Sequence, residues 1–351
     1  MTKGTLLMIG NYLNSPRHNQ NVWHSLAQHL SDNGWAVITS SSRESQILRL
    51  MDMVLSILRH RAAIDVGQID VFSGRAFFFA EVTAWLLSFI KKPVILTLHG
   101  GKLPQLAQSH PKRVQKLLQR ARVVVTPSPF IQQSLAGLHS DIRFIPNPVE
   151  LNNFVFRKRE TFQPRLIWVR VFHQVYNPRL AVEVVNALKN EYPTIRLTMI
   201  GPDEGDGSQD ATLTYIRDMG LSDFVQIIPG LPYSEIPKYL DQEDIFLNTS
   251  NFDSAPRCLI EAMACGLCVI STNVGGIPWM VKDQVDGLLV PPNDYNVMTE
   301  AIRTVLEHAE LAQQLSVNGR RKAEIYNWPA ILSLWEKLLR EVISEPRNNH
   351  R

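Results

Sequence analysis

Short uninterrupted apolar runs alternate along this chain with longer stretches in which apolar residues recur every three or four positions. In the first half the runs are LLMIG (6–10), AVITS (36–40), IDVFS (69–73), PVILTLH (93–99), RVVVTPS (122–128) and IRFIP (142–146). Helical patterns such as VWHSLAQHL (22–30) and ILRLMDMVLSILRHR (47–61) lie between them. Continuous apolar runs separated by helices predict parallel βαβ units, whose strands are buried on both faces. Two prolines and asparagines at IPNPVELNNF (145–154) break the rhythm. It then resumes with RLIWVRVF (165–172), IRLTMIG (195–201), FVQIIPG (224–230), DIFLNTS (244–250), CVISTN (268–273) and GLLVPP (287–292). LAVEVVNALKNEY (180–192) and SEIPKYLDQE (234–243) read as helices of this second half. The expected class is α/β: two doubly wound, Rossmann-like domains, 1–150 and 160–328, facing a cleft. Ligands would sit at the carboxyl ends of the strands. The last periodic stretch, WPAILSLWEKLLREVIS (328–344), has no strand after it, and residues 329–344 are expected to return to the first domain.

A length of 351 residues suits two domains, and 45% hydrophobic with 20% charged residues is ordinary for a globular chain. Cys258, Cys265 and Cys268 form no disulfide framework, which points to a reducing, cytoplasmic setting. The CxxC of Cys265 and Cys268 has no second cysteine pair or His pair beside it, so buried thiols are the plainer reading than a metal site. The N-terminal run is too short for a signal-peptide core, and FFFAEVTAWLLSFI (77–90) is too short to span a bilayer. The net charge of +3 conceals an asymmetry. Residues 1–150 carry 16 Lys and Arg against 8 Asp and Glu, a net +8, and the remainder carries −5. A basic first half suits a phosphorylated or lipid-linked acceptor, or an anionic membrane surface at which the protein would be peripheral. The charges are spread over several helices without basic-aromatic motifs, which argues against nucleic acid. The stretch 47–61, basic and amphipathic, is either a core-packing helix or one that rests on such a surface.

The candidate chemistry concentrates in NFDSAPRCLIEAMACG (251–266), which follows a buried strand. Ser254 or Asp253 can cap a helix beginning near Pro256, a good first-turn residue. Such a helix start offers free N–H groups to an anion. Glu261, inside the helix, can accept hydrogen bonds from vicinal hydroxyls, and Asp253 can do so for a sugar. Each also has a structural reading: Asp253 as N-cap, Glu261 as an ion-pair partner.

EAMACGLCVISTNVGGIPWMV (261–281) followed by DGLLVPPND (286–294) resembles the donor-site segment of family 4 glycosyltransferases, retaining enzymes of the GT-B fold. Asp253, Glu261-Ala262-Met263-Ala264, Gly266, Gly275-Gly276, Gly287-Leu288-Leu289-Val290 and Asp294 match the family's order and spacing. VTPSPFIQQSL (125–135), IPNPVE (145–150) and GLPYSEIPKYLDQEDIFLNTS (230–250) extend the likeness over nearly the whole chain. The resemblance implies that Glu261 holds the ribose of a nucleotide-sugar. Asp253, Ser254, Ala255 and Pro256 would hold the hexose and phosphates, with Gly275 and Gly276 allowing close backbone approach. Gly230 and Leu231 would face the base, and Arg170 would engage the pyrophosphate through its fork. In the first domain, His99 with Gly100 and Gly101 would meet donor sugar or acceptor, and Gly10 with Asn11 would form the acceptor-side loop.

The chain departs from the family pattern in four places. Asp253 stands for the usual Glu. Tyr176 stands at the spacing of the usual lysine, which Arg179 from the following helix or the Tyr176 hydroxyl would replace. Ile277-Pro278-Trp279 follows the Gly-Gly, and Gly10-Asn11-Tyr12 stands for a glycine pair. The expected function is metal-independent, retaining transfer of a hexose-type sugar from a nucleotide-sugar to a hydroxyl in polysaccharide or glycolipid synthesis. The nucleotide-sugar is a co-substrate, and no cofactor is expected. A sugar-nucleotide epimerase of the same fold and a non-catalytic sugar-nucleotide-binding protein are the alternatives. Neither half opens with G-x-G-x-x-G after its first strand, which argues against a dinucleotide-dependent dehydrogenase.

Overall fold

A computed structural model describes residues 2–10, 12 and 22–344. The chain divides into two compact units, Met1–Asn147 with Pro329–Arg351, and Pro148–Trp328. Each described unit is built on one six-stranded parallel sheet.

The first unit contains β1 (Thr5–Ile9), β2 (Ala36–Ser40), β3 (Val66–Val71), β4 (Val94–Leu98), β5 (Val123–Thr126) and β6 (Ile142–Phe144). Their spatial order is β2-β1-β3-β4-β5-β6. The central strands are apolar throughout because helices cover both faces; every residue of VILTL in β4 is buried. The order reverses between β1 and β3, and at such a point the strands' carboxyl ends open a crevice. The C-terminal helix Trp328–Ser344 belongs with this unit from Pro329 onward. It buries Ile331, Trp335, Leu338, Leu339 and Val342, one stripe at helical spacing. Glu336 binds Lys3 Nζ at 2.6 Å, and Glu341 takes a forked pair from Arg143 at 2.6 and 2.8 Å.

The second unit contains β7 (Arg165–Val169), β8 (Arg196–Ile200), β9 (Val225–Ile228), β10 (Ile245–Asn248), β11 (Cys268–Thr272) and β12 (Leu288–Val290), ordered β12-β11-β10-β7-β8-β9. The reversal here falls between β7 and β10. The entry to β10 is fixed by Asp244, which is almost fully buried. It accepts from Arg159 Nε at 2.7 Å, Arg157 at 3.0 Å, Arg165 at 3.1 Å and the Gln163 amide at 3.0 Å. A carboxylate so placed needs these donors, since an unpaired buried charge is strongly destabilising. All three cysteines are free and buried. Burial pushes their thiols up, that of Cys265 to about 12, so little reactive thiolate forms at neutral pH.

Candidate functional site

In the second unit, Arg170 directly follows β7, and the loop 249–256 follows β10, so the switch point brings them together. The Arg170 guanidinium forms an ion pair with the Asp253 carboxylate. The Tyr176 ring lies against the same guanidinium, 4.5 Å from its central carbon, a separation at which a cation is drawn to the ring face. Arg170 Nε is buried and has no hydrogen-bond partner among the described residues.

The loop itself is held by the two glycines. Gly276 donates its amide to the Asp253 carbonyl at 2.8 Å. Gly275 adopts φ +53°, and a Cβ there would stand 2.0 Å from the same carbonyl oxygen. Only glycine fits both the backbone conformation and the space. We therefore expect Gly275→Ala to displace the Asp253 loop. Left-handed backbone alone costs alanine about 1–2 kcal/mol, and the melting temperature should fall by roughly 2–8 °C, read by calorimetry. Gly276→Ala, with φ −90° in the parent, should melt nearer the parent.

Helix Arg257–Ala264 begins after Pro256, which occupies the N-cap position and supplies no side-chain acceptor. The capping expectation is corrected in position: Pro256, not Asp253 or Ser254, occupies the N-cap. Asp253 Oδ1 instead accepts from the Ala255 amide at 3.3 Å, closing a local turn. The amino-terminal end of this helix carries the positive end of its dipole, which favours an anion.

Glu261 sits one turn inside and is 5% exposed. Its Oε1 accepts from the Tyr233 hydroxyl at 2.7 Å and from Arg257 Nη2 at 3.1 Å. Arg257 also reaches the Tyr233 oxygen at 2.6 Å and lies over its ring. Burial, and then the Glu261 charge, push the Tyr233 pKa far above its ordinary value, so it remains a donor. Burial opposes the Arg257 charge, but Glu261 and Tyr233 outweigh it and hold its pKa above normal. Both described bonds to Glu261 end on Oε1. Oε2 receives none from the described residues, which suits an acceptor for an incoming hydroxyl.

Gly230 follows β9, where a Cβ would meet Pro202 at 3.1 Å, and Leu231 packs on the core beneath the Glu261 helix. Arg179 is not brought to this cluster. Its Nε binds Glu183 at 2.8 Å and its guanidinium stacks over Tyr215 at 4.6 Å, so it does not replace the missing lysine beside Arg170.

In the first unit, His99 follows β4 and its Nε2 lies 3.2 Å from Asp70 Oδ1. The ring is packed between Trp23 and Phe72, with centroids at 4.5 and 5.3 Å. Asp70 also accepts from Gln68 Nε2 at 2.7 Å, and Gln68 reaches Thr97 at 2.9 Å. Gly10 is pressed against this group: a Cβ there would lie 2.2 Å from Asp70 Oδ2. Gly100 passes close to the Ser73 amide, and Gly101 lies in the turn before helix Leu103–Ser109. Asn11 lies outside the described residues. Sequence reading missed Asp70, Tyr233 and Arg257. The i, i+4 spacing of Arg257 and Glu261 was a usable signal for one of them.

Two helix-covered parallel six-stranded sheets give the chain the α/β two-domain fold of GT-B glycosyltransferases. The fold matches that of HepE from Anabaena, solved in complex with UDP and glucose, with a TM-score of 0.78 and 15% identity over 96% of this chain and 100% of that one. The model described as "Glycosyltransferase Family 4" matches residues 20–153, and that described as "Glycosyl transferases group 1" matches residues 152–322. The chain belongs to glycosyltransferase family 4. It is 28% identical over 222 residues to the amylovoran biosynthesis glycosyltransferase AmsK of Erwinia amylovora, covering 59% of this chain and 54% of AmsK. It thus spans about half the length of that relative. It is 23% identical over 316 residues to a D-inositol 3-phosphate glycosyltransferase of Geodermatophilus obscurus, covering 82% of this chain and 69% of the relative.

Proposed function

We propose that this protein is a retaining, metal-independent hexosyltransferase that takes its sugar from a nucleoside diphosphate donor held in the second unit. The observation that carries this reading is the joining of Arg170 to the Asp253 loop at the β7–β10 switch point, beside the start of helix Arg257–Ala264. When the bond between the anomeric carbon and the diphosphate oxygen breaks, negative charge collects on the leaving diphosphate. Arg170 and the helix start are fixed positive ends facing that charge, which lowers the barrier without reorganisation. The acceptor oxygen bonds to the same carbon on the same face, and its proton leaves to a diphosphate oxygen. Glu261 Oε2 would hold the ribose hydroxyls and Asp253 the hexose. His99, Gly10 and the Gly100-Gly101 turn belong to the acceptor side. The +8 charge of residues 1–150 and the likeness to an enzyme named for an inositol phosphate support an acceptor bearing phosphate, sugar or a lipid link, in polysaccharide or glycolipid synthesis.

A panel of nucleotide-sugars screened by thermal shift tests this. One donor at about a hundred times its Kd should add about 2.7 kcal/mol of apparent stability, and turnover with that donor should survive a chelator. Failure of every nucleotide-sugar to raise the melting temperature would overturn the reading. Isomerisation of the donor with no acceptor present would instead identify an epimerase.

A further inference from the structure

Helices Gln46–His60 and Arg75–Phe89 of the first unit turn large apolar side chains to solvent. On the first helix, Ile47, Leu48, Met51, Leu55 and Leu58 are between 38% and 74% exposed, while only Met53 and Ile57 are buried. On the second, Phe78, Trp85 and Phe89 are 50%, 50% and 71% exposed. Positions 47, 51, 55 and 58 fall on one stripe at 3.6 residues per turn, and so do 78, 85 and 89. The Trp85 and Phe89 rings stack at 5.6 Å. The two helices follow β2 and β3. Right-handed crossovers running in the same direction across the sheet place them on one face. They touch where Arg75 Nη1 meets Gln46 Oε1 at 3.4 Å. Scattered exposed leucines need no explanation, but two adjacent apolar stripes do.

Cations border these stripes. Arg43, Arg49 and Arg75 stand at the amino-terminal ends of the two helices; Arg59, Arg61, Lys91 and Lys92 stand at their carboxyl ends. The acids within the helices are engaged elsewhere. Asp52 meets the Ser40 hydroxyl at 3.4 Å, and Glu81 is forked onto Arg113 at 2.5 and 2.8 Å. Glu44 is the exposed acid at the near end. A second copy docking on this face by twofold symmetry would set the same cations against each other. A layer of anionic headgroups pairs with them, while the outer acyl region receives the stripes.

We propose that this face docks the protein on an anionic phospholipid bilayer, lying on it rather than crossing it. No described helix is long and apolar enough to cross a membrane. The inference uses no residue assigned to donor or acceptor, so it stands or falls apart from the transferase reading. The test is flotation of the full chain with vesicles of phosphatidylcholine alone, and with about one-third phosphatidylglycerol. Partitioning onto the anionic vesicles should be about tenfold or more above that on neutral ones, and should fall as salt screens the cations. Trp85 emission should shift to the blue on anionic vesicles, a change absent in Trp85→Phe. The variant Leu48→Ser/Leu55→Ser/Phe89→Ser should lose binding about tenfold or more, and Arg59→Gln/Arg61→Gln should lose about as much. These side chains are exposed, and circular dichroism will show whether each variant is folded. Should the serine variant not fold, the arginine variant and the Trp85 signal decide. No binding to anionic vesicles, binding unchanged in the folded variants, or a dimer that the serine variant dissolves would each overturn the proposal.

Discussion

Arg170→Ala is expected to lower kcat by about 10²–10³-fold while the donor's Kd rises less than tenfold. The magnitude is that of removing one fixed donor aimed at charge that grows in the transition state. The split between kcat and Kd follows from where that charge appears. A bound nucleoside diphosphate already carries charge, but the additional charge develops only as the anomeric bond breaks, and an interaction that strengthens then raises kcat rather than affinity. Two features of the structure make Arg170 the group to remove. Its guanidinium is pinned by the Tyr176 ring on one side and by Asp253 on another, so it is held in place before the donor arrives. Arg179, the expected second cation, is spent on Glu183 and Tyr215. Arg170→Lys keeps the charge but loses the fork and much of the ring contact, and should fall between the parent and Ala. Steady-state rates with calorimetric donor affinities measure both. A loss carried wholly by Kd, with kcat intact, would show that Arg170 merely binds.

That prediction draws on features of unequal legibility in the sequence. The strands were legible as runs such as VILTL and RLIWV, because a parallel strand covered on both faces has few polar positions to confuse its pattern. The position of Arg170 after β7 and of Asp253 after β10 could be read from the same runs. Their adjacency follows only from the strand order, in which β10 returns beside β7. Tyr176 stands at the family lysine's spacing, but only the fold shows its ring against Arg170, which spacing cannot reveal. Asp253 does not stand at the N-cap of the helix after Pro256, because it has a competing use. Its carboxylate closes a turn on Ala255 and meets Arg170, so local preference gave way to a long-range partner. Asp70 with His99, and Tyr233 with Glu261, are pairs 29 and 28 positions apart. No local rule connects such residues. The helix Gln46–His60 was plain from its periodicity, yet whether its leucines faced the core depended on how much of that core Met53 and Ile57 already fill.

Glu261→Ala is expected to do two separable things. It removes the acceptor of both Tyr233 and Arg257, leaving a largely buried guanidinium without its carboxylate, at a cost of about 3 kcal/mol. For a unit of this size that lowers the melting temperature by roughly 6–12 °C. It should also abolish the stabilisation that the donor confers, because the ribose loses its acceptor. Instability alone could mimic the second effect, so a compensated variant is needed. In Glu261→Ala/Arg257→Met the stranded charge is gone, and replacing a buried ion pair with apolar groups is often close to neutral. That double variant should recover most of the lost melting temperature and still show no shift with donor. Glu261→Gln, which keeps the shape and one oxygen, should bind donor more weakly than the parent yet more strongly than Ala, since a neutral acceptor makes the weaker hydrogen bond. If the double variant melts near the parent and binds donor with undiminished affinity, Glu261 serves only to neutralise Arg257. The ribose would then have to be held elsewhere.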